Sequence, residues 1–217
     1  MRFSVNKTEI DAPIEQVIVA GWTGRDPDAV QHHIDELAEL GVAPPSQVPL
    51  FYRVSNSLLV QSPEIEVLGT ATSGEVEPLL VKLDGELFLG LGSDHTDREF
   101  EAVSVAASKQ ACPKPVAAQL WRFNEVSPHL DQLRLLCEIE EEGKWTTYQT
   151  GPLTGIKPLG ELAESAGLTD GQAMLCGTLG AIGGVRPASS YRMSLTDPVL
   201  DRALQFSYQV RPLPVVA

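Results

Sequence analysis

Glu75, Glu77 and Asp94 are the residues of this chain whose types and spacing could do chemistry. They flank a stretch centred on Asp84-Gly85, with the apolar run LLVKL before it and ELFLGLG after it. Asp-Gly between two apolar runs signals a β-hairpin with a two-residue turn. The register then follows by counting: Leu83 opposes Glu86, Val81 opposes Phe88, and Glu75 opposes Asp94. Side chains alternate faces along a strand, so Glu75 and Glu77 share a face and Asp94 joins them from across the ladder. Three carboxylates on one patch repel each other unless protons or a cation neutralise them. A hard divalent ion held by oxygen ligands is the simplest neutraliser. A bulge at Pro78 would shift the register by one residue. Without Asp94, Glu-x-Glu reads as two charges on the wet face of a strand.

Further candidates surround this set. His33 and Glu36 are three residues apart on a predicted helix, hence surface neighbours. A half-buried imidazole with a carboxylate one turn away can act as a general base on water; the plainer alternative is a helix-surface ion pair. Arg98 can neutralise the carboxylates or bind an anionic substrate, and Lys109 can stabilise a developing oxyanion. For each, an ordinary salt bridge is the competing reading. His95 adjoins Asp94 but would face away from it on a strand, so it is not counted as a ligand. Gly177-Thr178 opens a glycine-rich loop whose amides and hydroxyl suit a carboxylate or phosphate. P-loop, GxSxG and HExxH patterns are absent from the sequence.

These residues have to be placed by a mainly β framework. Strand patterns cover QVIVAGW, LFYRV, SLLVQ, IEVLG, the two hairpin arms, a second hairpin around EEEG, and YRMSL and LQFSYQVRPL near the end. A helix is expected after Asp26 as N-cap and Pro27 as first residue, with Val30, Ile34 and Leu37 as its apolar stripe and Gly41 beyond its end. Shorter helices are expected over 97–110, 116–123 and 158–166. Parallel βαβ alternation is not evident. The 217 residues suffice for one catalytic domain, with 1–50 forming N-terminal strands and a helix and 51–217 a β-rich core.

The formal charge of −13 argues against nucleic acid or an anionic membrane surface as partner. It does not exclude a small anionic substrate, because a local cation reverses the field. No apolar segment has transmembrane length, and the N-terminus lacks a signal-peptide core. Cys112, Cys137 and Cys176 are far apart and form no CxxC pair, so they read as reduced thiols in a cytoplasmic protein.

In order, the runs Gly24-Arg25 to His33 and Glu36, Pro49-Leu50-Phe51-Tyr52-Arg53, Glu75-x-Glu77, Asp94-x-Thr96-x-Arg98, Ser108-Lys109 with Cys112-Pro113, and Gly177-Thr178-Leu179 make the chain recognisable. It resembles the fumarylacetoacetate hydrolase superfamily over about residues 20–185, in a divergent branch. The family's Asn-Tyr before the helix is missing, Arg53 stands where it has Lys, Lys109 is closer to Cys112-Pro113, and Leu179 replaces a proline. The interval from Glu77 to Asp94 is also compressed.

The resemblance implies an α+β, mainly β fold of β-roll or barrel-like type with a few short helices, usually dimeric. It implies Mg²⁺ or Mn²⁺ on Glu75, Glu77 and Asp94, and chemistry on 2-oxo acids or 1,3-dicarbonyls: C–C hydrolysis, decarboxylation, hydration or dehydration. In that reading Lys109 takes developing negative charge, and His33 with Glu36 activates water. Gly177, Thr178, Arg98 and Arg53 contact the substrate carboxylate. Amide hydrolysis or hydratase chemistry on the same fold, or a non-catalytic small-molecule-binding protein, are the alternatives.

Overall fold

The computed structural model describes residues 1–39 and 43–216, with the side chains of His33, Glu36 and Leu37 outside the description. In chain order the first strands are β1 (Arg2–Val5), β2 (Thr8–Asp11), β3 (Gln16–Gly21), β4 (Leu50–Val54), β5 (Leu59–Val60), β6 (Glu64–Leu68), β7 (Thr72–Ser73), β8 (Val76–Leu83) and β9 (Glu86–Ser93). They are followed by β10 (Thr96–Asp97), β11 (Lys114–Pro115), β12 (Gln119–Arg122), β13 (Arg134–Glu141), β14 (Lys144–Pro152), β15 (Gln172–Leu175), β16 (Ser190–Asp197) and β17 (Arg202–Leu213). The helices are α1 (Pro27–Glu39), α2 (Arg98–Glu101), α3 (Val105–Ala111), α4 (Phe123–Val126) and α5 (Leu159–Ala166).

Two sheets organise the chain. The larger runs β2-β1-β12-β9-β8-β15-β3-β4 and the smaller β14-β13-β16-β17-β6, with β10-β7 and β11-β5 as two-stranded pairs. Both large sheets end in edge strands, so among the described residues the architecture is α+β and mainly β, without a closed barrel. Parallel neighbours do occur (β1 with β12, β15 with β3, β17 with β6), but they join segments distant in sequence.

The period-two side-chain pattern splits the core in two. Ile18, Leu80, Leu89, Leu91 and Met174 on one face of the larger sheet pack with Leu135, Cys137, Tyr191 and Leu195 of the smaller sheet. Val17, Val19, Leu79, Val81, Phe88 and Leu175 form a second cluster on the opposite face.

The first helix starts as its sequence dictates, with Asp26 Oδ1 accepting from the amides of Asp28 and Ala29 at 3.0 and 3.4 Å. Its expected stop at Gly41 lies outside the described residues. The helix expected over 97–110 is two helices, because two capping side chains restart the chain. Asp97 caps α2 through the Phe100 amide, and Ser104 caps α3 through the Ala107 amide. The helix expected over 116–123 is instead the strand β12. It fills the slot between β1 and β9, and Leu120 and Trp121 are both buried, as consecutive residues of an interior strand are.

Candidate active site

The β8–β9 hairpin has the register obtained by counting from Asp84-Gly85. Leu83 pairs with Glu86, Val81 with Phe88, and Val76 with Ser93, with no slip at Pro78. One step further out, the Asp94 amide donates to the Glu75 carbonyl at 3.0 Å. Pro78 is tolerated because its carbonyl, accepting from the Cys176 amide at 3.0 Å, points toward β15 one residue beyond the last β8–β15 pair. Its missing N–H therefore falls where that ladder ends. Glu75, Glu77 and Asp94 thus share the face of the second core cluster, at its polar end.

Burial and charge define the chemistry there. Glu77 is 2% exposed and Asp94 1%. Lys109, 7% exposed on α3, places Nζ on Asp94 Oδ2. Lys114, 0% exposed on β11, places Nζ 3.1 Å from Asp94 Oδ1, without hydrogen-bond alignment, and donates to the His95 carbonyl at 2.5 Å. Arg98 donates from Nε to Ser73 Oγ at 2.7 Å and from Nη1 to Glu101 at 2.9 Å, and its Nη2 lies 3.2 Å from Glu75 Oε2.

Burial disfavours ionisation of Asp94, but Lys109 and Lys114 outweigh it and hold the carboxyl well below its usual range. Burial likewise opposes the Lys109 charge, and Asp94 and Glu75 overcome it, so the ammonium stays protonated far into alkali. Lys114 differs: burial lowers its pKa despite Asp94, with Lys109 adding repulsion. Glu77 is pushed well upward, first by burial and then by the charge of Asp94.

Glu77 is held by the glycine-rich loop. The Gly177 amide donates to Glu77 Oε2 at 2.7 Å. Gly177 has φ of +94°, and a Cβ there would lie 1.7 Å from Thr23 Oγ1, so both conformation and space demand glycine. Thr178 Oγ1 donates to the Val76 carbonyl at 2.7 Å and accepts from Gln149 Nε2 at 2.8 Å. Gln149 also donates to the Leu179 carbonyl at 2.6 Å and accepts from the Val76 amide at 2.9 Å. Gln149 reaches the site because β14 carries an extra residue opposite Cys137 and Glu138, which leaves Tyr148 and Gln149 both buried. Nothing in the sequence around TTYQTG marks that bulge.

The sequence-derived residues divide clearly. Glu75, Glu77, Asp94, Arg98, Lys109 and Gly177 come together around the hairpin end. Arg53 does not: it opposes Ile18 on the other face of the sheet and donates to the carbonyls of Phe51 and Ala166. Its neighbour Tyr52, opposite Val19, presents its ring 5.7 Å from Lys109 Nζ and accepts from Trp22 Nε1 at 3.2 Å. Arg98 spends its guanidinium on Ser73, Glu101 and Glu75, and the Thr178 hydroxyl proton goes to Val76. His33 and Glu36 lie on α1, but their side chains fall outside the described residues. His95 faces away from Asp94 as expected, bonded to Thr72 Oγ1 and Tyr208 OH, and burial, with Lys114 and Arg98, lowers it to about 3. All three cysteines are buried free thiols.

Side-chain cations take part of the neutralising role that the sequence assigned most simply to a divalent metal. Arg98, Lys109 and Lys114 already neutralise most of the cluster, and Lys114 had no signal beyond its place in Cys-Pro-Lys-Pro. Among the described residues, no three His, Cys, Asp or Glu side chains are gathered as a ready metal-ligating group. The donors nevertheless fit a hard divalent cation in kind, since all are carboxylate oxygens. In charge, Glu75, Glu77, Asp94 and Glu101 face three cations, and Glu77 has no cationic partner among the described ion pairs, which leaves at most one negative charge to receive a cation.

Comparisons with known proteins agree with this architecture. A family model described as "Protein of unknown function (DUF2848)" matches residues 20–208. No curated protein sequence matches the chain. Among solved structures, a candidate fumarylpyruvate hydrolase from Burkholderia cenocepacia superposes with TM-score 0.67 at 18% identity, covering 98% of this chain and 95% of that one. A 2-keto-3-deoxy-D-arabinonate dehydratase complexed with magnesium and 2,5-dioxopentanoate gives 0.65 at 14% identity, covering 95% and 75%. A 5-carboxymethyl-2-hydroxymuconate delta-isomerase from Mycobacterium smegmatis gives 0.63 at 16% identity, covering 93% and 78%. These neighbours are of the fumarylacetoacetate hydrolase superfamily, and the likeness is one of fold.

Proposed function

The chain belongs to the DUF2848 family, and on that footing we propose that it is an enzyme acting on a small 2-oxo acid, 1,3-dicarbonyl or related carboxylate. The reaction would be C–C hydrolysis or decarboxylation. The observation that carries this reading is Lys109: a protonated ammonium, nearly buried, resting on Asp94 beside Glu77 and under the Tyr52 ring. A structural ion pair does not need a third carboxylate, without a salt bridge of its own among the described residues, buried beside it.

In this reading Glu75, Glu77 and Asp94 would hold Mg²⁺ or Mn²⁺. When bound, such an ion polarises a carbonyl and stabilises negative charge that develops on its oxygen. Lys109 remains protonated, so it contributes a positive charge and hydrogen-bond donor to the substrate oxygen and does not serve as a base. Tyr52 covers the ammonium from one side and limits water there. Arg98 orients Glu75, and Gly177 orients Glu77, so both residues act on the substrate through those carboxylates. Thr178 and Gln149 pin the loop to β8. The water-activating base would be His33, oriented by Glu36, on the helix that precedes β4. Homodimerisation, one catalytic domain and a cytoplasmic location complete the proposal. Among the described residues no helix is long and apolar enough to cross a membrane.

Hydratase or dehydratase chemistry is the second reading, supported by the neighbour that is a dehydratase complexed with magnesium and 2,5-dioxopentanoate. A panel of 2-oxo acids and 1,3-dicarbonyls, assayed with Mg²⁺ or Mn²⁺ and analysed for products, separates the two. Turnover abolished by Lys109→Met and by Asp94→Asn, in variants that stay folded, supports the site. Turnover untouched by both would remove it.

A further inference from the structure

Lys114 is the unexplained cost at this site. Its ammonium has no exposed surface, and an ion taken out of water is costly unless compensated. Asp94 already has Lys109 as a partner, so a second lysine is not required to neutralise it. The backbone also fixes Lys114. Prolines precede and follow it, the following one favouring an extended conformation, and β11 is paired in parallel with β5 at Leu59 and Val60. The His95 carbonyl holds the ammonium in place.

Charge counting shows what this fixed cation does. Glu75, Glu77, Asp94 and Glu101 carry four negative charges when ionised, against three positive charges on Arg98, Lys109 and Lys114. With Glu77 ionised, as a ligand to a cation must be, the cluster is one charge short of neutral. A divalent cation alone would carry it past neutrality to a net positive charge in a buried setting. The same cation arriving with a monoanionic or dianionic ligand would not. Without Lys114, the cluster would carry two uncompensated negative charges and match a divalent cation by itself.

We propose that Lys114 is a positioning and charge-setting residue that makes divalent-cation binding conditional on an anionic, carboxylate-bearing ligand, so that the two bind synergistically. This rests on the metal-site reading given above. Coupling of this kind is reciprocal: the anion strengthens the cation by the same factor as the cation strengthens the anion.

The test is calorimetric titration of Mn²⁺ into the full chain, with and without oxalate, the free ion being corrected for Mn²⁺–oxalate formed in solution. Wild type is compared with Lys114→Gln, which keeps a donor for the His95 carbonyl, and with Lys114→Met. In wild type, oxalate should tighten Mn²⁺ by about tenfold or more, the scale expected for one charge in a poorly screened site. In Lys114→Gln, Mn²⁺ alone should bind about tenfold more tightly than in wild type, and oxalate should add little. Wild type that binds Mn²⁺ with no response to oxalate overturns the proposal, even if neither variant folds. Variants that fold and bind Mn²⁺ with unchanged affinity and coupling also overturn it, and leave the metal site standing. No Mn²⁺ binding in folded wild type or variants, with or without oxalate, overturns the metal reading itself.

Discussion

The Asp94 amide donates to the Glu75 carbonyl at 3.0 Å, which ties the two residues across the open end of a hairpin whose turn lies at Asp84-Gly85. That backbone bond puts the Asp94 carboxylate between two ammonium groups, Lys109 on Oδ2 and Lys114 near Oδ1. Removing the carboxylate leaves two buried cations facing each other. Asp94→Ala should therefore cost about 3–5 kcal/mol, the range for breaking a buried pair by deleting one partner. Asp94→Asn, which keeps volume and an acceptor oxygen, should cost less. Urea unfolding at neutral pH reads both, and an Asp94→Ala protein as stable as wild type would show the lysines to be solvated.

Much of this was legible because it depends on counting. The Asp-Gly turn fixes the hairpin register, and the register fixes which carboxylates share a face. The long helix was announced by Asp26 and Pro27. What escaped depends on contacts between segments far apart in sequence. Residues 119–122 form a strand only because a slot between β1 and β9 waits for them. Gln149 enters the site only through a bulge, and Lys114 looks like a surface lysine until β11 lays it against Asp94. Arg53 was placed by motif matching, which ignores strand parity; the parity gives the site to Tyr52.

That parity makes a clean comparison. Arg53 is exposed, on the face opposite the carboxylates, and its guanidinium meets the Ala166 carbonyl at the end of α5. Arg53→Ala should change ligand or Mn²⁺ affinity by no more than experimental error and stability by about 0.5 kcal/mol or less. Tyr52→Leu should weaken ligand binding, since it removes the ring beside Lys109; Tyr52→Phe should have a smaller effect. Binding measured across the three variants decides this, and an effect at Arg53 equal to that at Tyr52 would contradict the assignment of faces.

Gly177 offers a test of the loop. An alanine there would adopt φ of +94° and place its Cβ against Thr23 Oγ1. Gly177→Ala should lose about 2–4 kcal/mol from backbone strain and overlap together. It should also draw the amide off Glu77 Oε2, so Mn²⁺ affinity should fall along with stability. Thermal unfolding and Mn²⁺ titration on the same sample check the pairing. A destabilised protein with wild-type Mn²⁺ affinity would mean the loop does not position Glu77.

Glu77 contributes a distinctive pH dependence to the metal-free protein. Its carboxyl is raised well above the ordinary 4.5, by burial first and by Asp94 second. A raised folded-state pKa means the folded protein holds this proton more tightly than the unfolded chain. The associated stability is fully present below pH 4.5 and is lost as pH rises through the folded value. Asp94 has the opposite sign, but its contribution is lost only on acidification below 3.8, outside this window. His95, lowered to about 3, also has the opposite sign and adds stability as pH rises toward 6.5, but equally in wild type and in a Glu77 variant, so the difference between the two proteins reports Glu77. In EDTA, wild type should therefore lose stability relative to Glu77→Gln between pH 5 and pH 8, and the variant should be the more stable protein at pH 8. Saturating Mn²⁺ with oxalate should reverse that order, because wild type gains binding energy that the variant has lost. Denaturant midpoints at pH 5 and pH 8, with and without the ion, give all four values. Parallel pH profiles for wild type and Glu77→Gln in EDTA would mean that Glu77 is not held protonated by its surroundings.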